Sequence, residues 1–411
     1  SDPSRGLGDV YKRQALAFPL LMLTQTLSGG AMGGAVAASI ARALGAGDVA
    51  KAERLVWHAL ALALAGAAVL LALFLFGGKA FLRFLGGAGE VLAQSHTYAM
   101  LLLAGGVFLW LISTVSAIFR GMGEMQFPAA VMIFNALIQI PLSGCLILGW
   151  GGLPALGLSG AAISAVVSAA VLSVPLFFKL VRSNFPIHLR WSAMTFSKSD
   201  FNDILQVALP GALSPLLTVA TVLVLTAFVA SFGEAALAGY GIGSRVEFLI
   251  IPLVFGLGAA MTSTVGVSVG AGDLGRAERL SRVGGVSAGL IAGVVGIVLA
   301  LFPDAWIGAF TDLPAVHASA KSYIQIVGPF FFFHGLGLSL YFASQGAGAM
   351  LWPVWATVLR VVVAALGAYA LAFTFGFGLA GIYAAAAAAM LTYAVVIAAA
   401  ISAGAWRKGD N

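Results

Sequence analysis

Long apolar runs, separated by short polar segments, follow one another along almost the whole chain. A helix needs about 20 apolar residues to cross the hydrocarbon layer of a membrane, and most of these runs reach that length. The pattern therefore predicts eleven membrane-spanning helices, near residues 15–41, 55–76, 93–119, 128–148, 155–181, 204–232, 243–268, 283–302, 319–343, 353–374 and 378–403.

One motif occurs twice, with an offset of 225 residues between its copies. Gly45-Ala-Gly-Asp48 precedes Ala-Glu-Arg-Leu, and so does Gly270-Ala-Gly-Asp273. The glycines are expected to end one helix, and each aspartate is placed to cap the next. The same offset joins further pairs in order, which indicates two copies of one multi-helix unit: Tyr98 with Tyr323, Gly121 with Gly346, Gly123 with Gly348, and Pro128 with Pro353.

The two copies differ in their number of predicted helices, since the second holds six and the first holds five. Subtracting the offset from the sixth span places its partner before residue 15. We therefore expect a first helix that is missing here, and twelve helices in the intact protein. Residues 1–14 are polar and lack an initiator methionine, so they are interpreted as a non-native segment. The remaining chain is predicted to be an all-α polytopic membrane protein with an N-lobe (15–182), a linker (183–202), a C-lobe (203–405) and a tail (406–411).

Loop charges predict the orientation of these helices. A repeat of six helices preserves its orientation in the membrane, so the lobes should be related by an axis along the membrane normal. Thirteen lysines and arginines fall on one side of the predicted spans and four on the other. The positive-inside rule places the first group, the linker and the C-terminus in the cytoplasm. The prediction is a multi-pass protein of the inner (cell) membrane.

Composition excludes several classes of protein. Hydrophobic residues make up 61% of the chain and charged residues 9%, whereas a soluble domain carries about a quarter charged residues. The net charge of +6 lies in short loops, which indicates topology signals rather than nucleic-acid binding. The single cysteine, Cys145, excludes an internal disulfide framework. With no phosphate-binding loop and no histidine spacing typical of a metal site, the chain is predicted to be neither an enzyme nor a holder of a metal or cofactor.

Polar residues inside the apolar runs are candidates for a transport pathway, because they are costly in lipid. Arg360 lies about seven residues into the span 353–374, roughly 10 Å deep at about 1.5 Å per residue. Its side chain either lines a pathway or extends back to the interface. Asn135 matches Arg360 in the repeat, and Gln139 follows one turn later on the same helix face.

Four further candidates lie in the second copy. Gln325 and His334 belong to the span 319–343. His334 either titrates near neutral pH or makes a hydrogen bond between helices. Arg245 and Glu247 lie near the outer end of the span 243–268, where they form a local charge pair or line an outward-facing cleft.

Several motifs resemble those of MATE (multidrug and toxic compound extrusion) transporters. In the first copy they are Ala41-Arg-Ala-Leu-Gly-Ala-Gly-Asp48, Phe119-Arg-Gly-Met-Gly123 and the run 152–162; in the second they are Tyr240-Gly-Ile-Gly-Ser-Arg-Val-Glu247 and Gly270–Asp273. The resemblance covers residues 15–405. It implies two six-helix lobes around a central cleft, alternating access, and exchange of amphiphilic, often cationic, compounds against H⁺ or Na⁺.

The chain departs from that family where the coupling ion is concerned. The family's fifth helix often carries Asn-x-x-x-Asp, and the matching stretch here is Gln139-Ile-Pro-Leu-Ser143. Its first helix often carries an acidic residue, and that helix is absent here. In its Na⁺-coupled branch the family also has acids in the seventh and tenth helices, where this chain offers Ser214, Thr218, Gln325 and His334. Coupling through the missing helix, Glu247 or His334 stays open.

The first hypothesis is a secondary antiporter that exports amphiphilic or cationic drugs or metabolites. Its partners would be the lipid bilayer and small-molecule substrates, with no nucleic acid, and it would act as a monomer. A flippase for lipid-linked saccharide precursors is the second hypothesis, and would favour a more basic cavity. A channel or a non-transporting membrane scaffold is the third.

Overall fold

A computed structural model describes residues 24–84, 88–150, 154–182 and 185–407. Helices account for most of this part of the chain: α1 (Gly33–Gly45), α2 (Val49–Phe84), α3 (Gly89–Ala104), α4 (Gly106–Gly121), α5 (Gln126–Leu148), α6 (Leu158–Arg182), α7 (Lys198–Ala230), α8 (Glu234–Gly270), α9 (Leu274–Leu301), α10 (Pro303–Ile307), α11 (Pro314–Val327), α12 (Phe331–Ala347), α13 (Leu351–Tyr369) and α14 (Gly378–Ser402). π-helical turns, Thr26–Met32 and Ala370–Thr374, precede α1 and follow α13.

Nine helical stretches within the described ranges are long and apolar enough to cross a membrane, and the bent pair α3–α4 makes a tenth. They overlap the ten predicted spans from 55–76 onward. The remaining predicted span, 15–41, begins outside the described residues. The prediction of a multi-pass helical membrane protein is confirmed, whereas the count of eleven stays a prediction.

Two predicted spans contain breaks that hydropathy alone does not show. The helix axis bends by 46° between α3 and α4. A β-carbon on Gly105, at the bend, would lie 2.3 Å from Val166, so the glycine allows α6 to approach closely. The second break is the 3₁₀ turn Gly328–Phe330 between α11 and α12. Pro329 lies in this turn and has no backbone N–H to continue an α-helix.

The predicted turns of the repeat are present in both copies. The backbone N–H of Lys51 donates to Asp48 Oδ1 at 2.8 Å, and that of Arg276 donates to Asp273 Oδ1 at the same distance. Each aspartate thus satisfies an N–H at a helix start that has no partner within the helix. The interpretation of the motif as a capped turn is confirmed.

Contacts divide the chain into two compact units. Unit 1 contains Ser1–Ile40 and Asp48–Leu205, and unit 2 contains Ala41–Gly47 and Gln206–Asn411. Unit 1 has fully buried side chains in α2, α4 and α6, among them Leu55, Phe119 and Leu180, and a smaller cluster lies around Tyr98 and Leu102. Unit 2 has a continuous core that runs through α8, α9, α11, α13 and α14.

The linker packs within unit 1 on the first turns of α2 and α7. His58 is fully buried, and its Nδ1 lies 2.8 Å from the carbonyl oxygen of Arg54. The backbone N–H of Ser197 donates to His58 Nε2 at 3.0 Å. Because Nε2 accepts, Nδ1 carries the proton and donates to Arg54. Arg54 also pairs with Asp200 at 3.1 Å, so α2 holds the end of the linker by two different contacts.

Candidate functional site

Arg360 is a buried cation near the middle of a membrane-spanning helix, α13. It is 7% exposed, and its guanidinium carbon lies 5.6 Å from the centre of the Tyr393 ring on α14. Its Nε has no hydrogen-bond partner, and no acidic group of the described residues forms an ion pair with it. The side chain therefore packs inside unit 2 instead of lying on its exposed surface.

His334 is the second buried group without partners. It is 5% exposed near the start of α12, and neither ring nitrogen makes a hydrogen bond. Arg360 is close enough to act on it electrostatically. One turn later a β-carbon on Gly337 would lie 2.5 Å from the Tyr393 ring, so α12 also touches the tyrosine that Arg360 covers. The predicted hydrogen bond from His334 to another helix is absent.

Glu247 is held by a tyrosine. The hydroxyl of Tyr323 on α11 donates to Glu247 Oε1 at 2.5 Å. The Tyr323 ring packs against Tyr240 and Tyr383, with ring centres 5.5 Å and 5.1 Å away. Arg360 acts electrostatically on Glu247 as well. We call the polar groups of this part of unit 2 the unit 2 chamber; Glu247 is half-buried and the others are buried, namely Arg360, His334, Tyr240, Tyr323, Tyr383 and Tyr393.

Arg245 and Gln325 lie outside this chamber. Both are exposed, and the Arg245 guanidinium lies 5.5 Å from the Phe310 ring. The predicted local pair of Arg245 with Glu247 is wrong, because no ion pair joins them. Side chains two residues apart on a helix point in different directions, which explains the failure.

The two candidates of unit 1 contact each other. Asn135 Nδ2 donates to Gln139 Oε1 at 3.2 Å, which confirms that they share one face of α5. Both side chains are half-buried, and Asn135 Oδ1 has no partner. The Asn135 side-chain carbonyl oxygen can therefore still accept a hydrogen bond from another group.

Sequence reasoning missed the tyrosines of the chamber. Tyr240, Tyr383 and Tyr393 are at most 6% exposed and lie inside apolar helices. A tyrosine in such a helix reads as an ordinary packing residue. A usable signal was the polar tip, since a buried phenol normally requires a partner.

The chain is similar to proteins that are named for drug resistance and for transport. A "Probable multidrug resistance protein NorM" of Thermotoga maritima is 29% identical over 336 residues, which is 80% of this chain and 70% of that protein. An "FAD transporter" of Shewanella oneidensis is 25% identical over 80% of this chain and 72% of its own length.

Solved structures share the fold. A MATE crystal structure "in the bent conformation" superposes with a TM-score of 0.90 at 24% identity, covering 97% of this chain and 88% of that one. A MOP superfamily transporter from Pyrococcus furiosus gives 0.89 at 23% identity with the same coverage, and its structure is described by a "reverse polarity of binding pocket".

The family match covers most of the chain and includes both copies of the repeat. The sequence model of the MatE family matches residues 14–144 and 210–370. With the repeated capped turns and the helical stretches described above, this match shows that the chain belongs to the MatE family of membrane transporters.

Proposed function

We propose that this chain is a secondary active multidrug exporter that works by alternating access, in exchange for H⁺ or Na⁺. The match of both repeat copies to the MatE family carries the proposal, and relatives named as multidrug resistance proteins support it. The protein acts as a monomer in the inner membrane, with its C-terminus in the cytoplasm, where the positive-inside rule places the tail.

Glu247 is the residue we assign to coupling. Among the described residues it is the carboxylate that lies in the interior of a spanning helix. The other described acids lie between helices, at helix ends or within the first two helical turns. A carboxylate in this position can bind H⁺ or Na⁺ alternately with a cationic substrate, because two positive ligands compete for one negative charge.

Efflux in cells without their own drug pumps tests the proposal. Cells expressing the protein should extrude ethidium and norfloxacin, and collapsing the proton and sodium gradients separately should stop extrusion only when the gradient of the coupling ion is removed. Efflux that continues with both gradients collapsed would show that antiport is the wrong mechanism.

The Glu247→Gln variant tests the assignment of the coupling residue. Glutamine keeps an oxygen that accepts from Tyr323 but removes the charge. Gradient-driven efflux should fall to background while the amount of protein in the membrane stays unchanged. Glu234→Gln, an exposed carboxylate at the start of the same helix, is the matched control. Normal gradient dependence of the Glu247→Gln variant would place coupling elsewhere in the chain.

Gln139 is proposed as part of the pathway in unit 1. Gln139→Ala removes the acceptor for Asn135, and should weaken efflux at normal expression. Unchanged efflux would remove the pair from the site.

A flippase or exporter of anionic compounds is the second candidate. Two observations favour it: the similarity to a protein named as an FAD transporter, and the buried cation Arg360. Export of flavin nucleotide or lipid-linked saccharide in place of ethidium would identify it. The channel or scaffold hypothesis predicts no accumulation against a gradient.

A further inference from the structure

Arg360 carries a permanent positive charge that the described residues leave without a counterion in hydrogen-bond contact. Arginine stays protonated in proteins, so it cannot avoid the cost of burial by losing its proton. A buried guanidinium is normally paired or hydrogen-bonded on several sides. Here the contact that remains is the face of the Tyr393 ring at 5.6 Å, and the Nε–H has no acceptor.

His334 presents the same deficiency close by. The neutral ring has one N–H donor and one acceptor nitrogen, and neither has a partner. Phe333 and Gly335 flank it on α12, and Gly337, one turn later, lies against the Tyr393 ring that Arg360 also contacts. A donor on this ring and the donors of Arg360 could therefore be satisfied together by one small acceptor group.

Glu247 does not fill that role. Its Oε1 accepts from Tyr323, and it forms no ion pair with Arg360. The chamber thus holds a positive and a negative group that are separately placed. A cation would be repelled from the Arg360 side, whereas a carboxylate or phosphate would find a guanidinium fork and a histidine N–H there.

We propose that Arg360 and His334 form a subsite for the oxyanion of an amphiphilic substrate, with the Tyr393 ring packing against Arg360. The subsite selects carboxylates and phosphates, in contrast with a carrier that takes cations alone. This inference rests on the proposed export function for its physiological meaning, but the binding itself can be measured without transport.

Binding to the purified wild-type protein in detergent is the first test. Benzoate and phenyl phosphate should bind at least about 10-fold more tightly than their uncharged analogues benzamide and phenol, since a charge-assisted hydrogen bond of about 1.5–3 kcal/mol corresponds to a factor of roughly 10 to 150. Stronger binding of phenyl phosphate than of benzoate would indicate a substrate that carries a phosphate. Stronger binding of benzoate would indicate a substrate that carries a carboxylate. Equal binding of charged and uncharged analogues would overturn the proposal.

The Arg360→Met variant is the second test. It should lose the preference for oxyanions completely, whereas Arg279→Gln, which removes an exposed arginine, should retain it. Arg360→Met should also fold, because the arginine it replaces makes no hydrogen bond in the described structure, and its melting temperature without ligand should equal or exceed that of the wild type. Retention of the oxyanion preference by this variant would show that Arg360 is not the recognition residue.

Transport separates this inference from the proposed function. If the wild type exports norfloxacin and ethidium, Arg360→Met should lose export of norfloxacin, which has a carboxylate, but keep export of its ethyl ester and of ethidium. Equal loss of all three would assign Arg360 a structural role and refute the subsite. If the wild type exports none of them but still prefers oxyanions in the binding assay, the proposed function fails and the subsite stands.

Discussion

Gly296 of α9 lies directly against the turn that separates α11 from α12. A β-carbon at this position would lie 2.0 Å from the carbonyl oxygen of Gly328 and 2.9 Å from its carbonyl carbon. Ordinary contact is 3.4–4 Å, so a methyl group requires α9 and the turn to separate by more than 1 Å. The opposing atoms belong to the backbone and cannot move aside by changing a rotamer.

The Gly296→Ala variant should therefore be destabilised. Overpacking of this kind costs about 1–3 kcal/mol or more, and the gain in helix propensity from glycine to alanine recovers at most about 1 kcal/mol. The matched control is Gly256→Ala in α8, where a β-carbon would meet nothing within 4 Å. That control gains the same propensity without a clash, so the two variants should differ by the cost of overpacking, about 1–3 kcal/mol or more, with Gly256→Ala the more stable.

Melting of the purified protein in detergent is the appropriate measurement. Because membrane proteins often unfold irreversibly, the variants must be compared at one heating rate. Gly328→Ala should also lower the melting temperature, since its β-carbon would lie 2.7 Å from the Gly296 carbonyl oxygen. The double variant should lose less than the sum of both, because one movement relieves both clashes. Equal melting temperatures for Gly296→Ala and Gly256→Ala would refute this reasoning.

Two further predictions concern the capped turn and the linker. Asp273→Ala should lower the free energy of unfolding by about 1 kcal/mol, because the Arg276 N–H loses its acceptor, and Asp273→Ser should restore most of that loss. Melting temperatures measured under the same conditions check the prediction, and equal values for the alanine and serine variants would contradict it. His58→Ala should leave the Ser197 N–H without its partner and loosen the linker. Trypsin should then cleave at Arg190 several times faster than in the wild type. An unchanged digestion time course would show that His58 does not hold the linker.

The helices were predictable to the extent that hydropathy reports them. In lipid every backbone polar group must be satisfied within the segment, so a long apolar run becomes a helix. The helices extend beyond those runs, as α2 does from 55–76 to Val49–Phe84, because charged residues continue the helix into the interface. Hydropathy therefore identifies the part of a helix that lies in the membrane, but not the residues at which the helix begins and ends. Gly105 and Pro329 are visible in the sequence, but packing against α6 and α9 decides whether the chain bends or breaks there.

The candidate site was predictable in its members but only partly in its arrangement. Arg360 and His334 were identified by polarity within apolar runs, yet the sequence left open whether Arg360 extends to the interface. Its burial over Tyr393 depends on which face of α13 meets α14, a tertiary property. The exposure of Gln325, two residues after buried Tyr323, has the same origin: rotation of the helix about its axis decides which side chain points inward.

The sequence by itself was enough to predict that the chain lies in a membrane, that it is duplicated, where its capped turns are and which family it resembles. Each of these follows from local composition or from a repeated motif. The tertiary structure alone decided that Glu247 pairs with Tyr323 instead of Arg245, and that Arg360 and His334 are buried in one unit without hydrogen-bond partners. Those outcomes depend on how helices far apart in the chain face each other. The sequence shows that a charged residue lies inside an apolar run, where its burial is costly. Which groups lie next to that charge is decided by the packing of the helices.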